Sequence, residues 1–224
     1  MGKGIGAGEL FKNTSFLMMY LIKKRLRDFE LLGSRGFVEF DFSPFLDLKI
    51  RANIKTELAF CISTANSSAV SGLRFQKLLE NLKIDDISVD EIEEILRISH
   101  VRFHSKKAVY IKSAIDSFDV VERALKMNTK DAREYLVRMM KGLGYKEASH
   151  FLRNVGRFDV AIIDRHVLGW LRERGYIEEI HGSLKSSEYK RIEGILREIA
   201  SERGVTLAEL DLMIWYEKTG KILK

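Results

Sequence analysis

Between positions 136 and 168 the chain reads LVRMMKGLGYKEASHFLRNVGRFDVAIIDRHVL, two helical patterns broken by Lys141-Gly142-Leu143-Gly144-Tyr145. No other stretch constrains the fold as strongly. Leu136, Val137, Met139 and Met140 end the first pattern, and the second restarts at Lys146. Two glycines two apart permit a tight connection with positive φ angles, which folds the helices into a hairpin. A helix beginning directly after such a turn leaves free N–H groups and its positive dipole end beside the loop, a suitable place for a phosphate. Lys146 lies in that first turn. After Gly156 an apolar run leads to Asp164, followed at once by Arg165 and His166. Taken singly, each piece has a plain structural role: a glycine turn, a solvated lysine, an aspartate capping the next helix. Taken together, a hairpin, an amine and a carboxylate 18 residues later (164 − 146) form a constellation.

The helical period recurs through most of the chain. Residues 9–32 show it, with Gly33 as the expected stop. Residues 36–44 read as a loop or short extended piece holding Pro44, the only proline. Residues 49–64 read as a helix whose end, residues 58–62, is apolar all round and therefore buried. A small polar turn follows, Ser63-Thr64-Ala65-Asn66-Ser67-Ser68, with Ser67 or Ser68 capping an amphipathic helix over 69–82. Ser88-Val89-Asp90-Glu91 has the capping-box form and opens a helix to about Ile98. Residues 100–104 read as a loop, residues 105–118 as a helix, and Asn128 as the cap of the helix entering the hairpin. Beyond Asp164 the expectation is a helix to Arg174, a loop over 181–187, a helix over 188–203 closed by Gly204, and a last helix opened by the capping box Thr206-Leu207-Ala208-Glu209 and running to Lys218. The predicted class is all-α.

Composition narrows the function classes. With 224 residues, 46% of them hydrophobic, the chain can bury a sizeable core. A net charge of +6 is compatible with a polyanionic partner without identifying one. One cysteine, Cys61, excludes an intrachain disulfide and a cysteine-ligated iron–sulfur cluster. The apolar run over 16–22, ended by Lys23-Lys24-Arg25, is too short to span a bilayer, so no membrane association is expected and the compartment is expected to be the cytoplasm.

The segments Gly-Leu-Gly-Tyr-Lys-Glu-Ala-Ser (142–149) and Ala-Ile-Ile-Asp-Arg-His-Val-Leu (161–168) resemble the helix-hairpin-helix DNA glycosylases, the superfamily of endonuclease III. Their wording is most similar to the archaeal-type branch of 8-oxoguanine DNA glycosylases, the second family of these enzymes. The close match covers about residues 57–168 and recurs at the C-terminus. The resemblance implies two helical lobes with the active cleft between them: a middle lobe over about 65–165 with the hairpin, and a second lobe from about 9–64 and 166–224. It implies base-excision repair of oxidised guanine, a partner of double-stranded DNA bearing 8-oxoguanine or an abasic site, residence at the nucleoid and a monomer. No cofactor is required by it and no metal site is expected. Hairpins of this class can hold a monovalent cation on backbone carbonyls.

By the same resemblance Lys146 and Asp164 are the catalytic pair. A neutral lysine amine attacks C1′ of the sugar and leaves a Schiff base, whose acidic C2′ proton allows elimination of the 3′ phosphate. A helix N-terminus and desolvation both disfavour the ammonium at position 146. An ionised Asp164 stabilises positive charge on the sugar and helps Lys146 lose a proton. The amides of Gly142, Gly144 and Lys146 would hold a phosphate, and His166 is expected to be structural or a phosphate contact. Asn66 matches the amide side chain that fills the hole left by an extruded base; asparagine is also a favoured turn residue. Trp215 matches a residue stacking on the flipped base, with Phe103 a candidate for its other face. Lys224, a short way after the tryptophan, is expected to help test the base: an acceptor facing N7–H of 8-oxoguanine rejects guanine, whose N7 is itself an acceptor. Two other readings remain open, a glycosylase/lyase of the same fold for an oxidised pyrimidine and a non-enzymatic helix-hairpin-helix DNA-binding module.

Overall fold

The computed structural model describes residues 16–43, 45–179 and 184–224. The expectations for residues 9–15, for Pro44 and for 181–183 lie outside the described residues. Among the described residues, eleven helices and a two-stranded sheet are present. The helical class stands; the sheet is an addition to it.

Helix α1 (Phe16–Arg35) buries Met18, Ile22, Leu26, Phe29 and Leu32 along one face. It runs through Gly33, where a stop was expected, and ends before Gly36, whose φ is +81°. Gly33 serves a close approach instead: a Cβ there would sit 2.1 Å from the carbonyl oxygen of Val155. Strands β1 (Phe37–Asp41) and β2 (Lys49–Asn53) pair antiparallel, with Glu39 opposite Arg51. The helix expected from residue 49 therefore starts five residues later. Ile50 and Ala52 alternate with exposed Lys49 and Arg51, the two-residue period of a half-buried strand. Asn53 then forms a capping box with Thr56 and opens α2 (Ile54–Thr64), which is buried from Thr56 to Ser63.

Ser68 caps α3 (Ala69–Leu79), and the Ser88–Glu91 capping box opens α4 (Val89–Ile98) as expected. The single helix expected over 105–118 is two, α5 (His104–Asp116) and α6 (Phe118–Leu125), broken where Ser117 leaves helical geometry at φ −105° and ψ 35°. Asn128 caps α7 (Thr129–Met139), and the hairpin leads into α8 (Tyr145–Asn154). The last three helices are α9 (Arg165–Glu173), α10 (Ser186–Glu202) and α11 (Leu207–Thr219).

The apolar interior forms two clusters. The larger joins α1, the sheet and α2 to α8, and takes in Ala208, Leu212, Met213, Ile222 and Leu223 from the C-terminal segment. The smaller packs Val167, Trp170 and Leu171 of α9 against α10 and against Leu207, Leu210 and Ile214 of α11. Helix α11 thus serves both cores, with a different face to each. Helix α8 is buried from Ala148 to Asn154, so only its first turn reaches the surface. Among the described residues, no helix is long and apolar enough to cross a membrane.

Candidate active site

Three features meet at the first turn of α8. Gly142 adopts φ +90°, and a Cβ there would lie 2.7 Å from the Tyr110 ring, so both backbone and space demand glycine. Gly144 does not take a positive φ, contrary to expectation. It is the N-cap of α8, extended at φ −82° and ψ −177°. The helix starts at Tyr145, one residue earlier than its pattern suggests. Lacking a side chain, Gly144 makes no cap hydrogen bond, whereas α2, α3, α4, α7, α9 and α11 are all capped by side chains. The leading amides of α8 are left for an external acceptor such as phosphate.

Lys146 is about a quarter exposed, and its ammonium lies 3.1 Å from Glu147. Its helix is held in depth by buried polar residues further along. Ser149 accepts from Arg133 at 3.2 Å, Arg153 pairs with Asp211 at 3.0 Å, and Asn154 donates to Glu57 at 2.6 Å. His150 packs edge-on to Phe60, and burial drives it well toward the neutral imidazole.

Asp164 is the N-cap of α9. Its Oδ1 accepts from the amides of His166 (2.8 Å) and Val167 (2.9 Å). Oδ2 takes no hydrogen bond from the described residues, so the cap leaves one carboxylate oxygen for other work. The preceding residues 161–164 are irregular and have no ladder partner. Side chains of α10 hold them: Tyr189 donates to Ala161 O at 2.8 Å and accepts from Ile163 N at 3.1 Å, and Glu193 accepts from Ala161 N at 3.2 Å. Glu193 is fixed in turn by a buried ion pair with Arg133 of α7. No direct bond joins Lys146 to Asp164 among the described residues.

Asp211, on α11, is paired with Arg153 and feels the charge of Asp164. Burial pushes its carboxyl up to about 7, Arg153 opposes that rise, and the charge of Asp164 adds to it. The ring of His166 lies edge-on against Trp215 at 4.9 Å between centroids, and the indole N–H of Trp215 is buried without a partner among the described residues. Phe103 is 58% exposed at the N-cap of α5, in left-handed geometry. Asn66 is exposed at the α2–α3 turn with φ +52°. The Lys224 side chain points inward. Its ammonium donates to Glu57 (2.6 Å) and Gln76 (2.5 Å) over the rings of Phe40 and Phe60, and burial lowers it to about 8. The ammonium is therefore part of the interior.

Sequence reasoning missed Lys107, Glu57, Asp211 and the pair Tyr189 and Glu193. Three of these carried a signal. Lys107 shares a face with Ile111, Ala114 and Ile115; Glu57 directly precedes the run over 58–62 that is apolar all round; Asp211 interrupts an apolar stretch of α11. A charge on an apolar face is either paired or functional. Tyr189 and Glu193 carried none, because what they hold is remote in sequence.

The family model described as 8-oxoguanine DNA glycosylase matches residues 38–205. The 8-oxoguanine DNA glycosylase/AP lyase of Methanocaldococcus jannaschii is 44% identical over 219 residues, covering 92% of this chain and all of the relative. That of Aquifex aeolicus is 41% identical over 210 residues, covering 91% and 92%. The crystal structure of the M. jannaschii 8-oxoguanine glycosylase/lyase with a 15mer DNA containing 8-oxoguanine superposes with a TM-score of 0.81 at 41% identity, covering 94% and 95% of the two chains. The 8-oxoguanine DNA glycosylase of Thermotoga maritima gives 0.81 at 35% identity, with 93% of each chain covered. With a matching family model over most of its length and such relatives end to end, the chain belongs to the archaeal-type 8-oxoguanine DNA glycosylases of the helix-hairpin-helix superfamily.

Proposed function

We propose that this chain is a bifunctional 8-oxoguanine DNA glycosylase and AP lyase acting in base-excision repair, at the nucleoid of the cytoplasm. The observation that carries the mechanism is the first turn of α8: a lysine directly after a hairpin, on a helix start that no side chain caps. Hairpin amides hold a backbone phosphate, which positions DNA without reading bases. A monovalent cation on the hairpin carbonyls would add to that grip. Lys146, once free of its proton and of Glu147, attacks C1′; the bond to the base nitrogen breaks, and the base leaves with the electron pair and takes up a proton. The sugar ring opens to the imine, the C2′ proton is lost, and the 3′ phosphate departs. Free Oδ2 of Asp164 faces the growing positive charge. Asn66 takes the space of the extruded nucleotide. Trp215, braced by His166, and Phe103 bracket the base, and the backbone end of Lys224 tests its N7 edge.

The test uses duplex DNA with a single 8-oxoguanine, wild-type protein and Lys146→Gln. The wild type is expected to cleave the strand and to form a covalent adduct on borohydride reduction. The variant is expected to lose both while keeping its melting temperature. Trapping on an abasic duplex without release of 8-oxoguanine would move the substrate to another lesion, such as an oxidised pyrimidine. No adduct on either substrate would leave a DNA-binding module.

A further inference from the structure

Lys107 is a lysine on the wrong face of its helix. Helix α5 buries Lys107, Ala108, Ile111, Ala114 and Ile115, so the residue is only 5% exposed amid apolar neighbours. Such a group persists only where specific partners compensate its lost hydration. Lys107 Nζ donates to the Ser63 carbonyl at 2.7 Å and to Ser67 Oγ at 3.3 Å. Ser63 is in the last turn of α2, where unpaired carbonyls and the negative dipole end favour a cation, and that helix lacks a glycine at its C-cap. Ser67 Oγ also accepts from the Arg102 amide at 2.7 Å. One ammonium and one hydroxyl therefore tie the turn bearing Asn66 to the loop bearing Phe103.

Backbone strain singles out the same two loops. Among the described residues, the non-glycine residues with positive φ are Asn66 (52°), His100 (58°) and Phe103 (59°), and all three lie in them. Left-handed geometry at such residues is unfavourable and persists only where surrounding structure imposes it. The Lys107–Ser67–Arg102 relay joins the two loops that hold these residues. The charges of Lys146 and Glu147 at the start of α8 and of Arg102 in the loop act on Lys107.

We propose that Lys107 is a positioning residue for base extrusion: through Ser63 and Ser67 it locks the Asn66 turn and the Phe103 loop in the strained geometry that meets an opened duplex. This rests on the reading of the chain as a glycosylase/lyase. It assigns Lys107 to the step that takes the base out of the stack and not to bond breaking at C1′. Unstacking is required for a stacked 8-oxoguanine, whereas an abasic site has no base to unstack.

The experiment compares wild type, Lys107→Met, Ser67→Ala and the double variant on two duplexes, one with 8-oxoguanine and one with a preformed abasic site. Methionine keeps the length and apolar stem of lysine, and Ser67→Ala removes only the relay hydroxyl, so a folded partner variant remains if either fails to fold. Single-turnover release of 8-oxoguanine is expected to fall at least tenfold in Lys107→Met and severalfold in Ser67→Ala. Borohydride trapping on the abasic duplex is expected to stay within threefold of wild type. The double variant is expected to lose less than the product of the two single losses, since the two side chains share one hydrogen-bonded network. Equal losses on both duplexes, with a shifted pH profile of trapping, would place Lys107 in the chemistry of Lys146 and overturn the proposal. Unchanged release of 8-oxoguanine in both single variants would overturn it too. Absence of trapping by the wild type on the abasic duplex would instead bring down the glycosylase/lyase reading.

Discussion

A single carboxyl group shows how burial and charge act together at this site. Asp211 is pushed from 3.8 to about 7 by burial first, with Arg153 opposing and Asp164 adding to the rise. The sign of the linkage follows. An acid whose folded pKa lies above its unfolded value keeps its proton longer in the folded state. Stability is therefore fully present below about 3.8 and declines as pH rises through about 7, where the buried carboxylate must be ionised. We expect Asp211→Asn to remove that decline. Melting temperatures of wild type and variant should diverge in slope across this window; parallel profiles would show that Asp211 titrates normally. Position 211 was readable as a charge among apolar neighbours. Its partner was not, because Arg153 lies 58 positions away.

At the scale of elements, the segment over 161–164 shows a helical protein positioning its candidate carboxylate, Asp164, without regular structure. Its backbone has no ladder, and Tyr189 supplies both a donor and an acceptor to it. Tyr189→Phe leaves Ala161 O and Ile163 N without that hydroxyl. The expected loss is about 1–3 kcal/mol, the cost of orphaned buried polar groups, read from the urea midpoint. Because Asp164 follows directly, release of 8-oxoguanine by the folded fraction should also slow, by roughly tenfold or more, as small misplacements of reacting groups do. A variant with lowered stability and wild-type turnover would reduce Tyr189 to a purely structural role. Elements with local signals were legible: the capping boxes at Ser88 and Thr206, and the caps at Asn128 and Asp164, fall where their sequences place them. The strand at Lys49–Asn53 was not, since five residues suffice for alternation yet are easily absorbed into a neighbouring helical pattern.

Across the whole molecule, residues far apart in sequence converge on one buried charge network. Glu57 of α2 accepts from Lys224 (2.6 Å), Gln76 (2.8 Å) and Asn154 (2.6 Å), joining the C-terminal segment, α3 and α8 at a single carboxylate. Helix α8 carries Lys146 at its other end, so this network anchors the shaft of which the proposed nucleophile is the tip. Glu57→Ala strips a buried ammonium of its counter-charge. The expected destabilisation is about 3–5 kcal/mol, measured by denaturant unfolding. The companion Glu57→Gln keeps the side-chain shape without the charge, with one oxygen left to accept where the carboxylate has two, and should lose less. Equal losses in both variants would mean that charge, and not shape, holds the network.

The sequence by itself determined the helical class, the hairpin, the caps and the pairing of Lys146 with Asp164 as candidates. Each of these depends on residues within a turn or two of one another, or on a motif that keeps a fixed spacing. Only the tertiary structure decided which charges face inward, that Gly33 admits the Val155 backbone, that Lys224 turns its ammonium into the core, and that Lys107 joins two strained loops. Those outcomes depend on which helices pack together, and burial gives a charged group its function only once its partners from distant segments are in place.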